Sequence, residues 1–81
     1  MELKDTISMM ESTDYKERFK AEYEQLRIRF EKLNVMLDKW DAGTLTFTPT
    51  CPRSTYNIQV RAMADYLAAL EARAVMEGVS L

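Results

Sequence analysis

Residues 14–40 read DYKERFKAEYEQLRIRFEKLNVMLDKW, and this stretch decides the fold of the chain. Its large apolar residues recur at alternating steps of four and three, which is the spacing of a helix that packs along one face. Asp14 can cap the start of such a helix, and Gly43 suits the left-handed position just after its end. We therefore predict one long helix here, with an inner seam formed by Phe19, Tyr23, Leu26, Phe30, Leu33, Leu37 and Trp40.

A second run with the same spacing follows a break that contains Gly43 and both prolines of the chain. Pro52 fits the first turn of this second helix, and Gly78 fits its C-terminal stop. Two long helices of matching length joined by roughly ten residues fold back on each other as an antiparallel αα-hairpin. The second inner seam consists of Tyr56, Val60, Met63, Leu67, Leu70 and Ala74.

The N-terminal residues Leu3, Ile7 and Met10 repeat at steps of four and three, which predicts a short amphipathic helix. A helix of this length is marginal alone and must dock on the rest of the chain or on a neighbour. The sequence thus predicts a single all-α domain over residues 1–81. It comprises a short N-terminal helix plus a long antiparallel αα-hairpin, assembling into an oligomeric helical bundle.

The oligomer prediction rests on a second apolar stripe along the first long helix. Ala21, Ile28 and Val35 are spaced seven residues apart and lie off the inner seam, so they need another partner. One interpretation is that the short N-terminal helix lies over them. The other is that they form a subunit interface, and both can hold if the N-terminal helix docks on a neighbouring protomer. We expect a homo-oligomer, because a chain of 81 residues with one cysteine has a marginal core of its own.

Composition argues against several classes of function. A formal net charge of −2 does not suit the wrapping of duplex nucleic acid. No apolar run is long enough for a membrane span, and Glu2, Lys4 and Asp5 interrupt any signal-peptide core, so we expect a cytoplasmic protein. Without histidine, no usual zinc site forms and Cys51 has no partner for nucleophilic catalysis. We expect no enzyme, no catalytic residues, no metal and no cofactor.

Two clusters at helix starts favour binding instead. Tyr15, Lys16, Arg18 and Phe19 place aromatic rings among cations at the start of the first long helix, which suits a phosphorylated ligand that carries a ring. At the start of the second, the candidate ligand-binding residues are Thr50, Arg53 and Tyr56. The ordinary alternatives are seam packing for the first cluster and helix capping for the second. In an oligomer, the two clusters could form shared pockets.

A family resemblance covers most of the chain, over residues 14–52 and 59–81. Its most specific pieces are EYEQL at 22–26, KL at 32–33, and the second-helix residues Gln59, Ala62, Met63, Tyr66, Leu67, Leu70, Glu71 and Arg73. In these the chain resembles the small helical proteins of tailed phages and prophages grouped under a crAss-like phage gene product. That resemblance implies no activity.

In shape and size, the chain is also similar to the phage sponge proteins that disarm CBASS and Thoeris immunity. The likeness implies a phage-encoded anti-defence sponge in the host cell cytoplasm. Such a protein would sequester a cyclic nucleotide or ADP-ribose-derived immune signal between protomers without cleaving it. Tyr15 or Phe19 would then stack on a base, and Lys16, Arg18 or Arg53 would hold phosphate.

The alternative function is a protein-binding adaptor or an inhibitor of a host protein. It would use the stripe at Ile28 and Val35, together with an acidic edge, to occupy a basic surface of its partner. The acidic edge consists of Glu17, Glu24, Glu31 and Asp38, spaced one heptad apart.

Overall fold

The structure is a computed structural model that describes residues 1–81. A 3₁₀ turn, Leu3–Thr6, leads directly into a short helix, α1 (Ile7–Met10), and two long helices follow, α2 (Tyr15–Asp41) and α3 (Arg53–Glu77). There is no β-strand. The predicted all-α fold, with a short N-terminal helix ahead of a helical hairpin, is confirmed.

The ends of the long helices follow from local chemistry. The Asp14 side chain accepts a hydrogen bond of 3.0 Å from the Lys16 backbone N–H and caps α2. Helix α3 begins right after Pro52 and ends at Gly78, whose φ of +68° lies in the left-handed region. The backbone N–H of Val79 then bonds back to the Ala74 carbonyl at 2.8 Å, as in a Schellman motif. The predicted cap at Asp14 and the predicted stop at Gly78 are therefore confirmed.

Contacts at both ends of α2 and α3 show that they run antiparallel. At the connector end, the rings of Trp40 and Tyr56 meet edge to face with centroids 5.8 Å apart. At the open end, Lys16 Nζ donates to the Gly78 carbonyl at 3.4 Å. The principal buried cluster lies beside this open end and consists of Phe19, Leu70, Ala74 and Val79, with Tyr23 and Leu26 packed against it.

The N-terminal segment, residues 3–10, docks on α2 of the same chain. Thr6 is fully buried, and its hydroxyl donates to the Leu3 carbonyl at 2.7 Å and accepts from Gln25 Nε2 at 2.8 Å. Ala21 and Ile28 flank Gln25 on this face of the helix and are buried. The segment therefore covers two of the three stripe residues, as one of the two interpretations predicted. These two are not open for a subunit interface in the single chain.

Val35, the third stripe residue, remains 53% exposed. It lies one heptad beyond Ile28, past the part of α2 that the docked segment covers.

None of the helices combines the length and the apolar character that a membrane span needs.

The first prediction concerns the buried cluster. Leu70→Ala should lower the free energy of unfolding by about 2–5 kcal/mol, because Leu70 is among the most buried side chains and its loss leaves a cavity beside Phe19. Urea unfolding followed by circular dichroism measures this. Leu81→Ala, the same change at an exposed position, should stay within about 0.5 kcal/mol of the wild type. Equal effects of the two variants would contradict the assignment of the core.

The second prediction concerns docking of the N-terminal segment. Thr6→Val keeps the side-chain shape but removes the hydroxyl that links Leu3 to Gln25, so the free energy of unfolding should fall by about 1–3 kcal/mol. Thr48→Val is the matched control, since Thr48 is exposed in the connector. If both variants unfold at the same urea concentration, the segment is not docked in this way.

Candidate functional site

One pocket is present, between the last turns of α2 and the connector that follows it. Its volume of about 370 Å³ lies within the range of small-molecule sites. Four apolar residues and four polar residues line it, namely Lys32, Val35, Met36, Lys39, Thr44, Leu45, Thr46 and Phe47. We call this pocket the connector groove.

The connector groove exists because the chain turns back sharply at the end of α2. Gly43 adopts a φ of +75°, a left-handed conformation that favours glycine. Both the N–H and the hydroxyl of Thr44 then bond to the Lys39 carbonyl, at 2.9 and 3.3 Å. These bonds hold the connector against the helix, so that Phe47 and Val35 line the same groove.

The side chains of the connector groove combine positive charge with an aromatic ring. The Phe47 side chain is 56% exposed, and an exposed ring offers a stacking face to a planar ligand. Lys32 is paired with Glu2 at 3.2 Å, in a bridge whose two side chains are both more than half exposed. Lys39 makes no side-chain hydrogen bond or ion pair in the chain, and no carboxylate lines the groove. This arrangement suits an anionic ligand that carries a ring.

The structure uses most of the first predicted cluster for folding. Phe19 is only 4% exposed, and the Arg73 guanidinium lies 4.8 Å from the centre of its ring. Arg18 donates to the Ser12 carbonyl at 2.8 Å, while Lys16 bonds to the end of α3. Phe19 is therefore a core residue whose ring is covered, which corrects the expectation that it could stack on a base. Tyr15 is the member whose ring remains exposed.

Two tyrosine–glutamate hydrogen bonds cross from one long helix to the other near this cluster. Tyr23 donates to Glu71 at 2.9 Å, and Tyr66 donates to Glu22. The hydrogen bond to the carboxylate is the largest cause that raises the pKa of each tyrosine above its ordinary value of 10.0. The neutral phenols therefore help to join α2 to α3.

Two of the three residues of the second predicted cluster, Arg53 and Tyr56, also make contacts within the chain. The Arg53 guanidinium donates to both carboxylate oxygens of Asp41, at 3.0 and 3.2 Å, and to Asn57 at 2.7 Å. These hydrogen bonds from Arg53 lower the pKa of the Asp41 carboxyl group. Tyr56 packs edge-on against Trp40, whereas Thr50 is exposed in the connector. Arg53 thus links the start of α3 to the end of α2.

The two predicted clusters lie at opposite ends of the molecule. Helix α2 has 27 residues and therefore spans about 40 Å, and the longest dimension of the molecule is 43 Å. One chain cannot bring Tyr15 and Arg53 to a single small ligand. The sequence analysis did not predict the connector groove. Two features of the sequence now belong to its lining: the alternation of threonine with apolar residues at 44–48, and the pair Lys32 and Lys39, which are one heptad apart.

No group of three or more histidine, cysteine, aspartate or glutamate side chains is arranged to hold a metal ion.

A comparison with known protein families gives a match to the family described as Sequestin, over residues 13–76. The chain belongs to the Sequestin family. The matched residues include both long helices almost entirely, together with every residue that lines the connector groove. The family name denotes sequestration, which agrees with the predicted sponge-like character. No curated protein and no solved structure matches the chain. The resemblance to crAss-like phage proteins stays a prediction.

The third prediction uses the raised tyrosine pKa values. A raised pKa in the folded state means that the phenols contribute stability below the ordinary pKa of 10.0 and lose that contribution as the pH rises through the folded value. The wild type should therefore be more stable than Tyr23→Phe/Tyr66→Phe at neutral pH, and this advantage should shrink above pH 10. Urea unfolding at a series of pH values measures it. An advantage that stays constant into strong alkali would contradict the role of the two hydrogen bonds.

Proposed function

We propose that this Sequestin-family protein is a sponge that binds a cyclic nucleotide or an ADP-ribose-derived signal and holds it without cleaving it. One observation carries the proposal. The connector groove is lined both by an exposed aromatic ring, Phe47, and by Lys39, which has no hydrogen-bond or ion-pair partner in the chain. A nucleotide signal presents the matching chemistry, namely a base that stacks and a phosphate that carries negative charge.

Each part of the connector groove has a task in this proposal. Phe47 stacks on the base, an interaction worth about 1–3 kcal/mol. Lys39 pairs with a phosphate, and Lys32 can join it by exchanging Glu2 for the ligand. That exchange costs little, because an exposed ion pair contributes at most about 1 kcal/mol. The hydroxyls of Thr44 and Thr46 can donate to phosphate or ribose oxygens.

Retention of an intact ligand agrees with the types of residue that line the groove. They are lysine, threonine, aliphatic residues and phenylalanine, which supply charge, hydroxyl donors and stacking. Holding a ligand needs only these contacts, whereas cleaving a phosphodiester needs a positioned base or nucleophile. A sponge acts by stoichiometry, so its dissociation constant must lie below the concentration of the signal.

The biological setting that we propose is that of a phage-encoded anti-defence protein acting in the cytoplasm of the host cell. By lowering the free concentration of an immune signal, it would keep the effector of that signal inactive.

The adaptor alternative has weaker support, because part of the acidic edge that it needs is neutralised within α2. Lys20 pairs with Glu17 at 3.3 Å, and Arg27 bridges Glu24 and Glu31.

The fourth prediction is a binding experiment. Isothermal titration calorimetry against cyclic mononucleotides, cyclic dinucleotides and cyclic ADP-ribose isomers should find at least one that binds. Phe47→Ala and Lys39→Glu should each weaken that ligand by roughly 10- to 100-fold, because they remove stacking and reverse the free charge. Lys4→Glu makes the same charge change at an exposed lysine outside the groove and should have little effect. Chromatography of the released ligand should recover it unchanged.

Other outcomes of this titration have equally definite meanings. Affinity lost in Tyr15→Ala or Arg53→Ala, but kept in Phe47→Ala, would move the site to the ends of the hairpin. No binding tighter than millimolar to any nucleotide, together with a host protein that is captured by the wild type and lost on Val35→Glu, would support the adaptor. Recovery of a cleaved product would show that the protein is an enzyme.

A further inference from the structure

The middle of the connector, residues 45–51, makes no hydrogen bond within the chain, either through its backbone or through its side chains. It contains no helix or strand. Leu45 and Pro49 are partly buried, whereas the other five residues are exposed. A segment with free backbone groups and few buried contacts changes its conformation at low cost in free energy. We call residues 45–51 the connector loop.

Both ends of the connector loop are fixed to the last turn of α2. On one side, Thr44 bonds to the Lys39 carbonyl through its N–H and its hydroxyl. On the other side, Arg53 donates to both carboxylate oxygens of Asp41. The two ends are thus held close together, as in an Ω-loop. Movement of the connector loop is thereby confined to its middle, where Phe47 is located.

Apolar groups on the loop and on α2 favour closure of the connector groove. Phe47 on the loop and Val35 on α2 line the same groove, and both side chains are more than half exposed. Burial of apolar surface lowers the free energy of a protein in water. Movement of the loop onto α2 would bury part of both side chains. Another interaction must therefore keep the groove open.

We propose that the connector loop is a lid, which the charge of Lys39 holds open and which a bound anion closes. The Lys39 ammonium lines the groove and has no hydrogen-bond or ion-pair partner within the chain. Closure over the empty groove would remove water from this ammonium without giving it a carboxylate, and burial of an unpaired charge is costly. An anion that pairs with Lys39 removes this cost, so the apolar contacts then close the lid.

Lys39 is suited to this role and Lys32 is not. Lys32 is already paired with Glu2, in a bridge that both side chains make at the exposed rim. Lys39 lies one heptad further along α2, and its own backbone carbonyl holds Thr44 at the root of the loop. The residue that senses the anion is therefore the residue to which the lid is attached.

The lid rests on the proposed function, because it takes the anion to be a phosphate of the nucleotide signal. Closure places Phe47 on the base and excludes water from the ion pair between Lys39 and the phosphate, which strengthens that pair. The ligand can leave only after the loop opens again, so release is slow. Slow release keeps a captured signal away from its effector.

The fifth prediction needs no ligand. Lys39→Met keeps a side chain of similar length but removes its charge, so the lid should close in the free protein. In NMR spectra, nuclear Overhauser effects between the Phe47 ring and the Val35 methyl groups should become stronger than in the wild type. Exchange of the backbone amides of residues 45–48 with solvent should slow at least about 5-fold, because closure restricts their contact with water.

Two variants serve as controls for this experiment. Lys39→Arg keeps the charge and should keep the lid open. Lys4→Met makes the same change as Lys39→Met at an exposed lysine outside the groove, and it should behave as the wild type does. Circular dichroism should give the same helix content for every variant. A Lys39→Met protein with the spectrum and exchange rates of the wild type, or equal changes in Lys4→Met, would overturn the lid.

A second arm separates the lid from the sponge. The same spectra of the wild type are recorded with the cyclic mononucleotides, cyclic dinucleotides and cyclic ADP-ribose isomers of the calorimetric titration. Each nucleotide that binds should strengthen the contact between Phe47 and Val35 or slow amide exchange in residues 45–48. A nucleotide that binds without either change would overturn the lid and leave the sponge. A lid that closes in Lys39→Met, in a protein that binds no nucleotide, would support the lid and contradict the proposed function.

Discussion

The packing of Phe19 on α2 against Leu70 and Ala74 on α3 is the contact on which the rest of the structure depends. It forms at the open end of the hairpin, where no covalent connection holds the helices together. The ring of Phe19 is covered from above by Arg73 and the cluster is completed by Val79, which the chain reversal at Gly78 brings back. The Arg53–Asp41 pair joins the two helices at the other end. The N-terminal segment and the connector both rest on α2.

The partners that cationic side chains already have within the chain are the reason why the proposed ligand site lies in the connector groove. Arg18 and Arg53 satisfy carbonyl or carboxylate oxygens of the chain itself, and each would have to give up a hydrogen bond to hold phosphate. Lys39 has no such commitment. The proposal therefore rests on a free lysine that lines the same groove as an exposed ring, and not on the number of basic residues in a cluster. The sequence alone cannot show which cations the fold has already used.

The elements of this fold could be predicted because they depend on local spacing. The heptad runs, the cap at Asp14 and the stop at Gly78 are all encoded within a few residues of where they act. What covers the stripe at Ala21 and Ile28 was left open, because periodicity identifies an apolar face without identifying its occupant. The role of Phe19 was ambiguous for the same reason, since a seam residue and a stacking residue look alike in sequence. Spacing gave only partial signals of the connector groove, at residues 44–48 and at the pair Lys32 and Lys39, because the groove itself arises where a loop without regular structure folds back on a helix.

The ion pair between Glu2 and Lys32 links the first turn of the chain to the rim of the connector groove. Both side chains of this pair are more than half exposed, so the pair contributes at most about 1 kcal/mol. Under the proposed function, a ligand that engages Lys32 would compete with Glu2, which the docked segment keeps nearby. The first residues of the chain would therefore tune the affinity of the groove by no more than about ten-fold.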